Sequence, residues 1–253
     1  MTMLSAGIQD ALSKGSWIRR IFEQGAEMKK VHGNDKVYDF SLGNPDLPPP
    51  PVVGECLAEM AARASEPFAF GYMPNAGYPH VREALARHVS AEQGAPFTAQ
   101  DIVLTCGAAG GINAFFRAVL SPGDEVLCPT PYFVEYGFYA QNHGGRLATV
   151  PSLAPNFDLD VPAMLAAVKD TTRVVLLNSP NNPTGAIYPE HTLKELAHGL
   201  MALNARRDQP IYILADEPYR FLTYGGAAVP SLPKLYPYAV VVSSFSKNLS
   251  LAG

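Results

Sequence analysis

The chain reads Ala239-Val-Val-Val-Ser-Ser-Phe-Ser-Lys247 shortly before its last residue, Gly253, so that a β-branched run leads into a serine-rich turn with one lysine. The run predicts a buried strand, and the turn then lies at the carboxyl end of that strand. Parallel α/β sheets bind their ligands at this edge. We therefore identify Lys247 as a candidate for a covalent bond to an aldehyde cofactor. The alternative is a solvated surface lysine, which this residue by itself does not exclude.

Upstream of this stretch, short β-branched runs alternate with segments of helical periodicity. The predicted strands are Asp101–Thr105, Glu125–Cys128, Arg146–Val150, Arg173–Asn178, Ile211–Ala215 and Ala239–Ser243. The predicted helices lie near Gly107–Leu120, Tyr132–Asn142, Asp160–Val168 and Glu190–Arg207. Strands and helices in alternation predict an α/β fold, with a mostly parallel sheet and helices on both faces.

The first 50 residues differ in character from the rest of the chain. Residues from Met1 to Asp35 mix apolar and charged side chains at helical spacing, which predicts an N-terminal helical arm. This helix packs either on another surface or locally over its own domain. A proline-rich link from Ser41 to Pro51 favours extended or turn geometry. We therefore expect an arm and link over residues 1–50 and a ligand-binding large domain over residues 51–253.

The composition is that of an ordinary globular protein, with 47% hydrophobic and 17% charged residues. A formal net charge of -4 leaves no basic footprint for nucleic acid. No apolar run approaches the roughly 20 residues of a membrane span, so we expect no membrane partner. The three cysteines include no CxxC pair, which favours neither a disulfide framework nor a metal site and predicts a reducing cytoplasm.

Unusual residues collect at the predicted carboxyl ends of the strands. The small-residue turn Cys106 to Gly111 opens a helix and offers backbone N–H groups to a phosphate, or it packs tightly without a ligand. After the second strand, Phe133 or Tyr132 stacks on a flat heterocycle or belongs to the core. After the fourth strand, the loop Asn178 to Gly185 directs the Asn182 amide at a ligand oxygen or simply closes a turn.

Asp216 follows the fifth strand, and a carboxylate there is costly to bury without a cationic or donor partner. A protonated pyridine nitrogen supplies such a partner, and a salt bridge or a helix N-cap is the structural alternative. With Tyr219 and Lys247, the strand ends provide a phosphate turn, an aromatic ring, an amide, an acid, a phenol and a lysine. This set matches the parts of pyridoxal 5'-phosphate (PLP), namely phosphate, ring, phenolic oxygen, pyridine nitrogen and aldehyde.

Three motifs occur in a specific order along the chain: NPTG at Asn182–Gly185, DEPY at Asp216–Tyr219 and SFSK at Ser244–Lys247. On these motifs the sequence, from about Ser41 to Gly253, resembles the class I/II PLP-dependent aminotransferases of the aspartate aminotransferase superfamily. The resemblance implies fold type I, in which the sheet forms the PLP-binding large domain.

The resemblance also implies a role for each matching position. Lys247 is then the Schiff-base lysine, and Asp216 pairs with the pyridine nitrogen. Asn182 and Tyr219 hydrogen-bond the ring oxygen, so that Tyr219 joins Lys247 and Asp216 among the catalytic residues. Phe133 stacks on the ring. The positions on the phosphate side are Gly107, Ala108, Ala109, Ser244 and Ser246.

Two further positions bear on partners and substrate. Tyr72 resembles the tyrosine that reaches the phosphate of the neighbouring subunit, which implies a homodimer. Gly43 resembles the glycine whose backbone meets the substrate carboxylate, and Asn182 contributes to the same substrate site. The family continues with a phosphate-binding arginine, an antiparallel strand inserted in the sheet and a C-terminal small domain. We therefore expect an incomplete large domain, truncated after the Schiff-base lysine, with the C-terminal small domain missing.

The implied activity is that of an aminotransferase (EC 2.6.1.-) that moves an amino group between an amino acid and a 2-oxo acid through Lys247. Another PLP enzyme, such as a C-S lyase or a decarboxylase-like enzyme, and a non-catalytic cofactor-binding fragment are the alternatives. A serine hydrolase is a further class because Ser244-Phe-Ser-Lys247 formally reads SxxK, but its partner SDN and KTG elements are not found. The amino donor stays open among aspartate, alanine, aromatic and branched-chain amino acids.

Overall fold

The computed structural model describes residues 3–4, 7–9, 17–40, 43 and 45–252. The described residues form two compact units: one holds those up to Pro48 together with Ala252, and the other holds Pro49–Leu251. In the first unit, helix α1 (Trp17–His32) is followed by a single 3-10 turn at Asn34–Lys36.

Helix α1 confirms the helix that the amphipathic N-terminal segment predicts. Its Lys29 ammonium forms a salt bridge of 3.1 Å with the Asp39 carboxylate beyond the helix. The remaining parts of the predicted arm and link, residues 1–2, 5–6, 10–16, 41–42 and 44, lie outside the described residues, as does Gly253.

The second unit is an alternation of helices and strands. Its helices are α2 (Pro51–Ala62), α3 (Pro79–Gln93), α4 (Gly107–Val119), α5 (Tyr136–Gln141), α6 (Val161–Ala167), α7 (Glu190–Asn204), α8 (Leu232–Leu235) and α9 (Phe245–Asn248). Proline begins α2 and α3, where the helix needs no N–H donor. The Asp160 carboxylate caps α6 by accepting a hydrogen bond of 3.0 Å from the Ala163 backbone N–H. Within the described residues, each helix is too short or too polar to span a lipid bilayer.

The described strands form one five-stranded sheet in the order β2-β1-β3-β4-β5. They are β1 (Glu125–Thr130), β2 (Arg146–Pro151), β3 (Thr172–Asn178), β4 (Tyr212–Asp216) and β5 (Ala239–Val242). All neighbouring pairs are parallel. The register pairs Asn178 with Asp216 and Asp216 with Val242, so the carboxyl ends of β3, β4 and β5 meet at one edge.

Helices cover both faces of this sheet. Val175 and Leu177 of β3 belong to one buried cluster, which also contains Leu196 of α7. Val174 and Leu176 belong to the other, which contains residues of α4 and α5. Successive strand residues point to opposite faces, so a strand buried on both sides reads as a continuous apolar run. The predicted fold class, a mostly parallel α/β sheet with helices on both faces, is confirmed.

The predicted strand Asp101–Thr105 is wrong. Ala99–Asp101 forms a 3-10 turn instead, because the Thr98 hydroxyl caps it and the Asp101 carboxylate accepts a hydrogen bond of 2.7 Å from the Thr98 backbone N–H. Residues 102–105 pair with none of the described strands. The Leu104 N–H donates instead to the Ala76 carbonyl at 3.0 Å. A β-branched run becomes a strand only where a neighbouring strand supplies the hydrogen-bond ladder.

Smaller differences concern the ends of elements. The helix predicted near Tyr132–Asn142 begins only at Tyr136, after a turn in which the Tyr136 N–H donates to the Phe133 carbonyl at 3.1 Å. The predicted serine-rich turn around Lys247 is one turn of helix, α9. The sequence analysis did not predict α2, α3 or α8.

Candidate active site

Asp216 is the last residue of β4, and its side chain is buried. The Tyr136 hydroxyl, from the start of α5, donates a hydrogen bond of 2.5 Å to Asp216 Oδ2. The other carboxylate oxygen, Oδ1, is buried and has no hydrogen-bond partner among the described residues. Burial raises the pKa of the Asp216 carboxyl to about 6, although the hydrogen bond from Tyr136 acts to lower it. A buried acceptor in this state is suited to a donor or a cation supplied by a ligand.

The NPTG loop is held against the end of β4 by Asn178, the last residue of β3. Asn178 Nδ2 donates to the Asp216 carbonyl at 2.8 Å, and its Oδ1 accepts from the Asn182 backbone N–H at 2.6 Å. Within the loop, the Asn181 side-chain oxygen accepts hydrogen bonds from the backbone N–H and the hydroxyl of Thr184. The loop that carries Asn182 is therefore tied to the strand that carries Asp216.

Asn182 and Tyr219 lie side by side. The Asn182 Nδ2 donates to the Tyr219 hydroxyl at 3.5 Å. Burial and the nearby negative charge of Asp216 raise the pKa of the Tyr219 hydroxyl, while the hydrogen bond from Asn182 lowers it. The structure thus brings together three of the predicted site residues, Asp216, Asn182 and Tyr219. Asn182 contacts Tyr219 directly, and Asn178 ties Asn182 to Asp216.

The aromatic residues after β1 form a cluster around Tyr136. The Phe133 ring lies edge-on to the Tyr136 ring, with centroids 5.6 Å apart and planes at 80°. The Tyr132 ring is nearly parallel to that of Tyr136, with centroids 6.5 Å apart. Phe133 is half-buried and packs against the core, so one predicted stacking residue is in contact with the tyrosine that holds Asp216.

The small-residue turn predicted to bind phosphate opens α4. Gly107 has a φ of 66°, in the left-handed region that glycine favours, and begins the helix. Ala108 is half-buried and packs against the core, whereas Ala109 is exposed. Gly111, one turn further, is close to β5, because a Cβ at that position would lie 3.0 Å from Val242 Cγ1.

Ser244, Ser246 and Lys247 lie in or beside α9, which follows β5. The Ser244 hydroxyl accepts a hydrogen bond of 3.4 Å from the Ser246 backbone N–H, and so caps the helix. Lys247 is half-buried. Because the Glu217 backbone N–H donates to the Val242 carbonyl at 2.8 Å, the DEPY turn and the end of β5 are joined directly.

Glu217 forms a second buried polar cluster next to Asp216. Gln93 Nε2 donates to its carboxylate at 2.7 Å, and Arg220 donates to the same oxygen at 3.0 Å. Burial raises the pKa of the Glu217 carboxyl, while the Arg220 charge and the Gln93 amide lower it. Arg220 also donates to the Val229 carbonyl at 2.8 Å, so this cluster holds the backbone of the DEPY turn in place.

Tyr72 and Gly43 are the remaining predicted site residues. The Tyr72 side chain is fully exposed, and Gly43 is exposed within the first unit of the chain. Conversely, sequence reasoning missed Tyr136 as a site residue. Its signal was weak: Tyr136 lies in the same proline-bounded segment as Phe133, but nothing local relates it to Asp216, 80 residues away.

A protein-family model described as "Aminotransferase class I and II" matches residues 35–253. The aspartate aminotransferase of Pyrococcus horikoshii is 32% identical over 244 residues, which are 96% of this chain and 58% of the relative. The aspartate/prephenate aminotransferase of Thermus thermophilus is 36% identical over 215 residues, which are 85% of this chain and 53% of the relative. The chain therefore spans a little over half the length of these relatives.

Among solved structures, an amino transferase from Eubacterium rectale superimposes on this chain with a TM-score of 0.93. The two are 36% identical, and the match covers 100% of this chain and 64% of the other. At this identity and TM-score the likeness extends to sequence as well as to backbone.

Proposed function

The chain belongs to the family of class I and II aminotransferases, and on this premise we propose that it is a PLP-dependent aminotransferase. Members of the family use PLP. In the proposed reaction an amino group moves from an amino acid to a 2-oxo acid. The observation that carries the proposal is the buried Oδ1 of Asp216, which has no hydrogen-bond partner in the described part of the chain, together with the adjoining Asn182 amide and Tyr219 phenol.

The residues of the candidate site fit PLP. When bound, PLP supplies an aldehyde that condenses with amines and a protonated pyridine ring that withdraws electrons from the substrate Cα. Asp216 Oδ1 is an acceptor for the ring N–H, and Asn182 with Tyr219 provides donors for the ring oxygen. Phe133 is proposed to cover the ring face. The phosphate is assigned to the amides and hydroxyls of Gly107, Ala108, Ala109, Ser244 and Ser246.

In this proposal the catalytic residues have distinct tasks. The Asp216 carboxylate keeps the ring nitrogen protonated, because a buried anion stabilises a neighbouring cation. Lys247 would hold PLP covalently through its side-chain amine. The same amine would move the proton at the substrate Cα, as general base and then as general acid. Tyr219 holds the ring oxygen.

The substrate and partner assignments are proposals of the same kind. Gly43 and Asn182 are assigned to the substrate carboxylate, and Tyr72 to the phosphate of a second subunit, so a homodimer is the proposed assembly. A cytoplasmic location fits the three free cysteines, Cys56, Cys106 and Cys128. The names of the relatives make aspartate and prephenate the first amino donor and acceptor to test.

Borohydride reduction in the presence of PLP tests the central assignment. We expect peptide mass mapping of the 253-residue chain to find a pyridoxyl group on Lys247. Lys247→Ala should lose the label, and Lys194→Ala, which removes an exposed lysine paired with Glu190, should keep it. A label on another lysine, with Lys247 unmodified in the unsubstituted chain, would refute the proposal.

A further inference from the structure

Tyr136 is the side chain that holds one oxygen of the buried Asp216 carboxylate. The distance from its hydroxyl to Oδ2 is 2.5 Å, and only 1% of Tyr136 is exposed. A hydroxyl this close to a carboxylate makes a short, charge-assisted hydrogen bond, which is stronger than a neutral one. With Oδ2 occupied in this way, the carboxylate has one oxygen left for a ligand.

The position of the Tyr136 hydroxyl is set by its neighbours. The rings of Tyr132, Phe133 and Tyr139 pack around the Tyr136 ring, with centroid-to-centroid distances of 6.5, 5.6 and 6.4 Å. On the other side of the hydrogen bond, Asn178 Nδ2 donates to the Asp216 carbonyl at 2.8 Å and so anchors the acid's backbone. Both partners are therefore held before any ligand arrives, which is the condition for a preorganised acceptor.

We propose that Tyr136 is a positioning residue, which holds Asp216 ionised and oriented with Oδ1 available to the cationic ring nitrogen of PLP. The inference rests on the proposed function, since it concerns how that site receives its cofactor. It assigns to Tyr136 no contact with PLP. Its role is exerted on Asp216 alone.

The surroundings of Asp216 explain why the hydrogen bond matters. Burial raises the pKa of Cys128 of β1, of Tyr136 and Tyr139 of α5, and of Tyr219 of the DEPY turn, and the negative charge of Asp216 raises each of them further. All four are neutral acids, so none of them supplies a positive charge. Burial raises the pKa of the Asp216 carboxyl to about 6, and the Tyr136 hydroxyl opposes this rise.

The first test needs no cofactor. The side-chain carboxyl carbon of Asp216 is followed by NMR as a function of pH in the chain without PLP, with Asp216→Asn to assign the signal. Removal of a charge-assisted hydrogen bond changes an equilibrium constant by about 10- to 100-fold. We therefore expect Tyr136→Phe to move the titration midpoint upwards by about 1 to 2 pH units. The matched control is Tyr139→Phe, which removes a hydroxyl from the same helix and should leave the midpoint unchanged.

The second test uses PLP itself as the probe. With the Asp216 midpoint moved from about 6 to between about 7 and 8, we expect PLP at pH 7 to bind the Tyr136→Phe chain about 2- to 10-fold more weakly than the unsubstituted chain, by absorbance titration. The difference should narrow at pH 9, where Asp216 is ionised in both chains. If Tyr136 had only a structural role, Tyr136→Phe would lower the stability of the chain but would not move the Asp216 titration midpoint, and its effect on PLP binding would be the same at pH 7 and pH 9. That result would overturn the inference.

The two tests separate two kinds of failure. If the unsubstituted chain binds no PLP, the proposed function fails, while the cofactor-free titration still decides whether Tyr136 controls Asp216. If Tyr136→Phe does not fold, the unsubstituted chain labelled with [13Cζ]tyrosine replaces it. A Tyr136 resonance that titrates near the Asp216 midpoint of about 6, and that stops titrating in Asp216→Asn, supports the inference. A Tyr136 resonance that does not follow Asp216 refutes it.

Discussion

Replacement of Asp216 by asparagine should remove the part of the pH dependence of folding stability that this carboxyl causes. The Asp216 pKa is raised from its ordinary value of 3.8 to about 6 in the folded chain, chiefly by burial. The folded state therefore keeps its proton to a higher pH than the unfolded state. A carboxyl whose pKa is higher in the folded than in the unfolded state stabilises the fold below its unfolded pKa, and this stabilisation is lost as the pH rises through its folded pKa. Asp216 therefore makes the fold progressively less stable between about pH 4 and pH 7.

The size of this effect follows from the same values. A change from 3.8 to about 6 corresponds to about 3 kcal/mol. Asparagine has nearly the same shape and cannot ionise. The free energy of unfolding of Asp216→Asn, minus that of the unsubstituted chain, should therefore increase by about 2 to 3 kcal/mol from pH 4 to pH 8.

Urea unfolding followed by circular dichroism measures this difference over the pH range. Ellipticity is the appropriate signal because the single tryptophan, Trp17, lies in the N-terminal helix. Asp101→Asn is the control, because its difference from the unsubstituted chain should stay nearly constant from pH 4 to pH 8. Hydrogen bonds from the Thr98 backbone and hydroxyl lower the pKa of the Asp101 carboxyl, so its contribution is present above pH 3.8 and is lost on acidification.

A difference between Asp216→Asn and the unsubstituted chain that stays constant from pH 4 to pH 8 would refute this reasoning. Added PLP extends the test. At pH 8 PLP should stabilise the unsubstituted chain more than Asp216→Asn, because only the carboxylate neutralises the ring cation.

Two further substitutions test how the site is supported. Asn178→Ala should lower the free energy of unfolding, measured in urea, by about 1 to 3 kcal/mol, because it leaves the Asp216 carbonyl and the Asn182 N–H without their hydrogen-bond partner. The control Asn142→Ala, at an exposed position, should lower the free energy of unfolding clearly less, and equal losses would contradict this view. Gly77→Ala should lower the free energy of unfolding by about 1 to 3 kcal/mol more than Gly123→Ala. Both glycines have a positive φ, but only at Gly77 would the new Cβ lie 2.4 Å from the Leu104 side chain. Equal melting temperatures for the two variants would show that Leu104 moves aside.

The sequence was sufficient to predict the architecture because the signal for it is local. A run such as Val174–Leu177 is apolar at every position, as expected of a strand that is buried on both faces. In the intervening helices, apolar residues recur about once per helical turn. Lys247, Asp216 and Asn182 could be proposed from sequence for a related reason. In a parallel sheet the carboxyl ends of all strands lie at one edge, so residues distant in sequence are expected near one another.

Only the tertiary structure decided which side chains are paired. Tyr136 and Asp216 are 80 residues apart, and Gln93 and Glu217 are 124 residues apart. A hydrogen bond forms only when donor and acceptor are positioned to within a few tenths of an ångström, and residue type and sequence spacing do not determine positions that finely. The same holds for Asp101–Thr105, whose composition suits a strand. Backbone pairing is a property of two segments, and for this one the local Thr98–Asp101 hydrogen bonds form while no described strand lies alongside.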